Sequence, residues 1–289
     1  MSEILSIGAC VEAAAARLGA AGYPQPRREA RAVWAALARQ STGDVWLAQD
    51  ASAAPSAVDR FQEAVARRCE GVPFAYAVGC VTFRTLELAI DPRALIPRPE
   101  TEGLVELALG AVRAGLPPGG YAADVGTGCG CIALSLAVEG DFAGIVAVDR
   151  DASAATLAQA NVARVSPRVP VEIRVGDLLA PLSGERYRAI LSNPPYLTEG
   201  EAAALDPAVR SFEPRAALDG GPDGLAPTRR LLAEAHTLLV PGGLLALEID
   251  ERRAPLVMAL AHDHGWRRVT IHEDLFGRPR YALAYREAR

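Results

Sequence analysis

The sequence predicts an α/β protein: a Rossmann-like, mostly parallel sheet ending in an antiparallel strand, preceded by a small N-terminal helical domain and a β-hairpin linker. Three observations carry this. From about residue 118 onward, short apolar runs alternate with segments of helical period, the signature of a doubly wound parallel sheet. The last two runs, residues 269–272 and 281–285, are separated by too little chain for a helical crossover. Phe276-Gly277-Arg278-Pro279 lies between them, so they should pair antiparallel. The first 72 residues, by contrast, carry apolar side chains at helical spacing only.

Taken in order, residues 4–18, 28–38 and 58–68 read as helices. Gly22-Tyr23-Pro24-Gln25-Pro26 and Ser41-Thr42-Gly43-Asp44 read as the turns between them. Eight arginines face eight acids over residues 1–75, so this is a neutral bundle. It holds no catalytic constellation and reads as a packing or partner-docking module. Residues 74–79, 81–83 and 86–90 look like short strands joined by a turn. Ile96-Pro97-Arg98-Pro99-Glu100-Thr101-Glu102 is a rigid stretch entering a helix. The expected division is a helical domain over 1–73, a hairpin linker over 74–97 and the α/β domain over 98–289. In that last domain, strands are expected at 121–125, 145–149, 171–175, 187–192 and 244–249. Helices are expected at 132–138, 152–165, 227–239 and 254–264.

Composition excludes several chemistries. All 30 basic residues among the 289 are arginine, so no lysine can form a Schiff base, serve a P-loop or act as a base. The four histidines, at 236, 262, 264 and 272, lack partners at metal-ligand spacing, and no metal site is expected. Five scattered cysteines argue for reduced thiols, not a disulfide framework. The net charge of −5 leaves no general footprint for nucleic acid. No apolar run approaches the roughly 20 residues of a membrane span. Met1-Ser2-Glu3-Ile4-Leu5 has no basic n-region or apolar h-region, so the expected location is the cytoplasm.

Asn193-Pro194-Pro195-Tyr196 follows the buried run at 187–192, so it sits at the carboxyl end of a strand, where open α/β sheets bind ligands. Two prolines fix φ twice and remove two donors. The Pro194 carbonyl is left as an acceptor beside the Asn193 oxygen and the Tyr196 ring. Two acceptors and an aromatic plane suit a flat –NH2 group, either a carboxamide or an exocyclic base amine. An Asx-type turn with a surface tyrosine is the plainer alternative.

Asp124-Val125-Gly126-Thr127-Gly128-Cys129-Gly130 ends the first strand of the α/β domain and opens a helix. Glycines let backbone approach a ligand, and the helix start offers unpaired N–H groups. The spacing is G-x-G-x-G, and Cys131 stands where a dinucleotide binder has its last glycine. A carboxylate before the loop suits a sulfonium and its amino group better than a pyrophosphate. Asp149, at the next strand end, is placed for ribose hydroxyls, and Asp177 in Gly176-Asp177-Leu178 for an adenine amine. Together these acids and the loop point to S-adenosylmethionine, although each acid alone reads equally as a helix N-cap. Cys129 and Cys131 read as small residues packed at the helix start.

With these motifs in place, the chain resembles the bacterial release-factor glutamine methyltransferases, the PrmC/HemK family of class I methyltransferases. The resemblance rests on Leu95-Ile96-Pro97-Arg98-Pro99-Glu100-Thr101-Glu102, the glycine loop, Asn193-Pro194-Pro195-Tyr196, Phe212-Glu213-Pro214-Arg215-Ala216-Ala217-Leu218, Leu247-Glu248-Ile249 and Asp274-Leu275-Phe276-Gly277-Arg278. Asn-Pro-Pro-Tyr is shared with amino-methylating DNA enzymes. Ribosomal-protein glutamine methyltransferases typically have Pro-Arg-Ser where this chain has Pro97-Arg98-Pro99. Three positions depart from the family: Thr85 and Asp250, where glycine is common, and Leu178, where an aromatic is frequent.

The resemblance implies N5-methylation of the glutamine in the Gly-Gly-Gln loop of class I peptide chain release factors, with the helical domain helping to hold that partner. Neither a membrane nor direct nucleic-acid binding is expected. Asn193, Pro194 and Tyr196 are the expected catalytic residues, and Asn193-Pro194-Pro195-Tyr196 the substrate-binding set. Asp124, Gly126, Thr127, Gly128, Cys129, Gly130, Asp149, Asp177, Leu178 and Asn193 are the expected cofactor set. Glu248 is a secondary candidate, Arg98 faces substrate or anchors the linker, and Glu213 with Arg215 lines the channel or forms a surface pair. The rival readings are a ribosomal-protein glutamine methyltransferase, an N6-adenine nucleic-acid methyltransferase and a non-catalytic binder.

Overall fold

A computed structural model describes residues 5–115 and 119–287. The chain forms two compact units, Met1–Cys80 with Pro207–Phe212, and Val81–Asp206 with Glu213–Arg289. Ile4, at the expected start of the first helix, lies outside the described residues, as do Met1, Ser2 and Glu3 of the expected leaderless N-terminus.

The first unit contains α1 (Ile7–Ala20), α2 (Pro26–Ala38), α3 (Thr42–Leu47), α4 (Pro55–Cys69) and α5 (Phe74–Val78). Ser6 caps α1 by accepting from the Ala9 N–H. Leu18, Val33, Trp34, Phe61 and Val65 fill its core. Trp34 and Phe61 meet edge-on, their centroids 4.9 Å apart. Two expectations are corrected here. Ser41-Thr42-Gly43-Asp44 is a helix start as well as a turn, because Ser41 and Asp44 form a capping box that opens α3. Residues 74–79 are a helical turn, not a strand. Their apolar/alanine alternation imitates a period of two, yet neighbouring Tyr76 and Ala77 are both buried, and Gly79 at φ +75° closes the turn left-handed.

The second unit continues with β1 (Cys80–Phe83), β2 (Leu86–Ala89), α6 (Pro99–Arg113), β3 (Tyr121–Val125), α7 (Cys131–Glu139), β4 (Gly144–Asp149), α8 (Ala152–Val165), β5 (Val171–Val175), β6 (Tyr187–Ser192) and α9 (Glu199–Ala203). After α10 (Pro207–Phe212), which belongs to the first unit, come α11 (Ala226–Leu238), β7 (Leu239–Glu248), α12 (Ala254–Asp263), β8 (Arg268–Glu273) and β9 (Pro279–Tyr285).

β1 and β2 form the two-stranded sheet expected at the linker. Its turn puts Arg84, not Thr85, in the left-handed region (φ +52°), so Thr85 needs none of the freedom of glycine. Arg84 repays that strain by holding Glu139 through two nitrogens, at 2.7 and 2.8 Å, and Glu106 at 2.9 Å.

The large sheet has the order β5-β4-β3-β6-β7-β9-β8. Its first five strands run parallel, and β9 lies antiparallel between β7 and β8, as the short β8–β9 connection demands. β7 begins earlier than expected. Tyr187 pairs with Leu239 and Ala189 with Leu244, so residues 240–243, with their Pro-Gly-Gly break, bulge out of a ladder that resumes beyond them. All six residues of β6 are buried, as expected of a central parallel strand covered on both faces. From β3 the chain turns one way to β4, and from β6 the other way to β7, so the topological switch lies between β3 and β6.

α6 packs on the sheet through Gly103. A Cβ there would overlap the Tyr281 hydroxyl and lie 2.7 Å from its ring carbon Cζ, while that hydroxyl donates to the Glu100 carbonyl at 2.6 Å. Gly103→Ala should therefore destabilise the protein by about 1–3 kcal/mol through overpacking, read as a lowered urea midpoint. An unchanged midpoint would mean that α6 is free to shift.

Candidate active site

The register of β3 on β6 builds the site. Val125 is paired with Ser192, so the next residues, Gly126 and Asn193, leave the sheet side by side at the switch. The Ser192 hydroxyl donates to the Val125 carbonyl at 2.6 Å and locks that pairing.

The glycine loop folds back on β4. Gly126 and Thr127 both donate to the Val148 carbonyl, at 2.8 and 2.9 Å. Gly126, Gly128 and Gly130 all have positive φ, which explains three glycines in five residues. Asp124 is fully buried beneath the loop. Its Oδ2 accepts from Thr127 Oγ1 at 2.6 Å and from the Ala133 N–H of α7 at 3.1 Å, while Oδ1 has no partner. Burial pushes this carboxyl up to about 7, against the lowering effect of Thr127 and Ala133, and Asp149 adds to the rise.

Asp149 ends β4 with Oδ2 accepting from the Gly128 N–H at 2.8 Å and Oδ1 from the Asp151 N–H at 2.9 Å. Its pKa is raised by burial, with those N–H groups acting the other way. The Asp177 carboxylate meets Arg230 at 2.6 Å, an exposed pairing across the cavity rim. Leu178 takes φ +47° and packs partly on the core. Cys129 and Cys131 are buried, and the Cys131 thiol is held well up, first by its hydrogen bond to Cys129 and then by burial.

A cavity of about 390 Å³ opens above this floor. Gly126, Thr127, Gly128, Cys129, Asp149, Asp177, Leu178, Asn193 and Pro195 all line it. Asp124 and Gly130 sit behind the wall, and a Cβ on Gly130 would stand 3.5 Å from that of Ala158. Pro194 is buried and Tyr196 half-buried at the far side of the motif. The acidic floor fits a cationic ligand. Asp124 Oδ1 has no partner, and burial raises both Asp124 and Asp149, so a cation bound over them would favour their charged forms.

The motif itself is tied to two elements. Asn193 Nδ2 donates to Thr101 Oγ1 at 3.0 Å, and Thr101 Oγ1 donates to Glu248 Oε2 at 2.7 Å. The Tyr196 hydroxyl donates to Glu248 Oε1 at 3.3 Å. Glu248, 1% exposed, is raised by burial, with Thr101, Arg280 and Tyr196 opposing. The following residue is clamped in turn, for the Leu197 N–H donates to Leu218 O and the Gly220 N–H to Leu197 O.

Several roles differ from expectation or went unforeseen. Glu213 and Arg215 do not pair. Glu213 is buried and takes Arg98 at 2.7 Å and the Ile96 N–H at 3.3 Å, whereas Arg215 meets Glu199 at the surface. Arg98 thus anchors the segment before α6. Asp250 adopts φ −73° and caps the turn that follows, accepting from the Arg252 N–H, so glycine is not required there. Thr101 carried no signal beyond its motif. Asn161, fully buried on α8, spans Ala89 of β2 and the Cys129 carbonyl, and nothing local in the sequence marks it. Gly220 is needed because a Cβ would lie 2.7 Å from Tyr196 Cα, a closeness only the fold creates.

A glycine loop opening a helix after the first strand, at the switch of a sheet with an inserted antiparallel strand, defines a class I methyltransferase fold. Solved structures share it: a methyltransferase from Pyrococcus furiosus (20% identity, TM-score 0.52, 71% of this chain and 91% of that one) and the hMettl16 catalytic domain (17%, 0.57, 81% and 83%). Residues 111–213 match the methyltransferase small domain, and residues 9–79 the PrmC N-terminal domain. The chain belongs to the release factor glutamine methyltransferase family. It is 41% identical to the Moorella thermoacetica member over 93% of this chain and 95% of that one. It is 39% identical to the Mycolicibacterium smegmatis member over 96% and 97%.

The buried Asp124 gives a pH test. Its carboxyl holds a proton in the folded state up to about 7 but only to about 3.8 unfolded, so its contribution to stability falls as pH rises through that window. Relative to Asp124→Asn, the cofactor-free wild type should lose urea midpoint between about pH 4 and 7. Parallel midpoint curves for the two proteins across that window would contradict this.

Proposed function

We propose that the protein transfers a methyl group from S-adenosylmethionine to the side-chain amide nitrogen of the glutamine in the Gly-Gly-Gln loop of class I release factors, in the cytoplasm, in support of translation termination. The observation that carries this reading is an asparagine amide held by its nitrogen, beside a glycine loop, in a chain with near full-length kinship to proteins named for that reaction.

Asp149, the loop residues Gly126, Thr127, Gly128 and Cys129, and Asp177 with Leu178 would hold the cofactor, over Asp124 and Gly130. It supplies an electrophilic methyl on a sulfonium. The chain's own residues do the rest. A carboxamide nitrogen is a poor nucleophile because its lone pair is delocalised. Asn193 Oδ1 and the Pro194 carbonyl each accept one substrate N–H, which aims the nitrogen and stabilises positive charge growing on it. Tyr196 packs against the flat amide, with its hydroxyl held by Glu248. A proton released after transfer leaves to water, so no strong base is required before attack.

The test uses purified protein, labelled S-adenosylmethionine, and a release factor with Gly-Gly-Gln or Gly-Gly-Ala. Label on that glutamine, located by mass spectrometry and lost in the alanine variant, is the expected result. Label on a ribosomal protein or on nucleic acid instead would replace this reading. Asn193→Ala should lower turnover roughly 100-fold, the usual cost of one lost electrostatic partner at a reacting atom, with cofactor binding nearly intact. Asp149→Ala should weaken cofactor binding roughly tenfold or more, as losing a charged hydrogen bond does, by isothermal titration. Full turnover in Asn193→Ala would sink the acceptor assignment.

A further inference from the structure

We infer that Thr101 and Glu248 are positioning residues: they lock the Asn193 carboxamide with its carbonyl oxygen as the substrate-facing end, and so set the site to take a primary amide in preference to a carboxylate. The inference rests on the reading of Asn193 as the acceptor for a substrate amide. It deepens that reading by naming what keeps Asn193 from turning over.

An asparagine carboxamide is nearly symmetric in shape. Its two ends differ only in hydrogen-bond sense, and a half-turn of the group replaces an acceptor with a donor. A free Asn193 could therefore present its –NH2 and bind a glutamate side chain as readily as a glutamine. The proton count along the buried chain removes that freedom. A carboxylate can only accept, and Glu248 stands 2.7 Å from Thr101 Oγ1. A threonine hydroxyl has one proton, and Glu248 takes it. Thr101 Oγ1 is then left with lone pairs alone, so the Asn193 atom 3.0 Å away must be the donor, Nδ2. The end that Thr101 does not hold is the carbonyl oxygen.

Both members of this relay are almost wholly buried, Thr101 at the cavity wall. Thr101 is 2% exposed and Glu248 1%, so no solvent molecule replaces either partner cheaply. Burial pushes the Glu248 carboxyl up; the two donors that converge on its oxygens, Thr101 and Tyr196, and the Arg280 charge act the other way and favour its accepting, ionised form. The relay joins three elements distant in sequence: the start of α6, the end of β6 and the end of β7. It therefore sits where a single carboxylate can hold both Asn193, through Thr101, and Tyr196 directly.

The experiment compares wild type with Thr101→Val, which keeps shape and loses the hydroxyl, and Thr101→Ser, which keeps it. Thr101→Val should lower kcat on release factor roughly tenfold or more, about the rate equivalent of one lost hydrogen bond, with the cofactor dissociation constant unchanged. Thr101→Ser should recover most of that loss. A release factor carrying glutamate in place of the target glutamine should inhibit wild type poorly. Against Thr101→Val its inhibition constant should move closer to the KM of the glutamine form, because the amide is free to turn. A packing defect would weaken both ligands alike and leave that ratio unchanged.

Should Thr101→Val fold poorly, by its urea midpoint, Thr101→Ser against Thr101→Ala carries the same comparison. Wild-type turnover in Thr101→Val, a serine variant as impaired as valine, or an unmoved ratio each overturns the relay while leaving the proposed activity standing. A wild type that methylates no release factor overturns the activity, and this inference with it.

Discussion

The parallel pairing of β3 with β6 is the constraint on which the rest of the site depends. It brings together residues 125 and 192, and in consequence a loop shaped by glycines and a loop shaped by prolines leave the sheet as neighbours. One of these loops is permissive and the other rigid, and both properties are local. Their adjacency is not. A one-residue slip in register would turn β6 over, expose apolar side chains and carry Asn193 away from the loop. Ser192, donating to the Val125 carbonyl inside the sheet, binds the two strands at the last position before they part.

Around that pairing, buried carboxylates do the organising. Asp124 holds the loop and the first turn of α7, Glu213 holds Arg98 and the backbone before α6, and Glu248 holds Thr101 and Tyr196. Burying a carboxylate is costly unless donors surround it. Glu213 and Glu248 have theirs. Asp124 keeps one oxygen without a partner, and burial raises its carboxyl.

The exclusive use of arginine extends the same pattern outward. Arg84 and Arg253 each reach acceptors on separate segments, which a planar fork does and a point-charge ammonium does less well. Arg84 tolerates a left-handed backbone to do so, and Arg253 joins the Asp223 carbonyl to Glu201 of α9. These arginines support the scaffold. Arg230, at the cavity rim on Asp177, stands in the cavity wall at a place the motifs did not anticipate.

By itself the sequence determined most strands and helices of the α/β unit, though not α9 or the early start of β7, together with the antiparallel ending, the glycine loop and the Asn-Pro-Pro-Tyr corner. Each follows from local rules: period, the conformational range of glycine and proline, and loop length. Residues 74–79 went astray because six residues are too few to separate a period of 2 from one of 3.6 when alanines fill every other place. Tertiary structure alone decided that Thr101 meets Asn193, that Glu213 takes Arg98 and not Arg215, that Asn161 reaches the loop, and that Gly220 must stay small beside Tyr196. Those partners lie far apart along the chain. Their hydrogen bonds depend on which strand ends and helix starts the sheet order sets side by side, and no local pattern of residues records that.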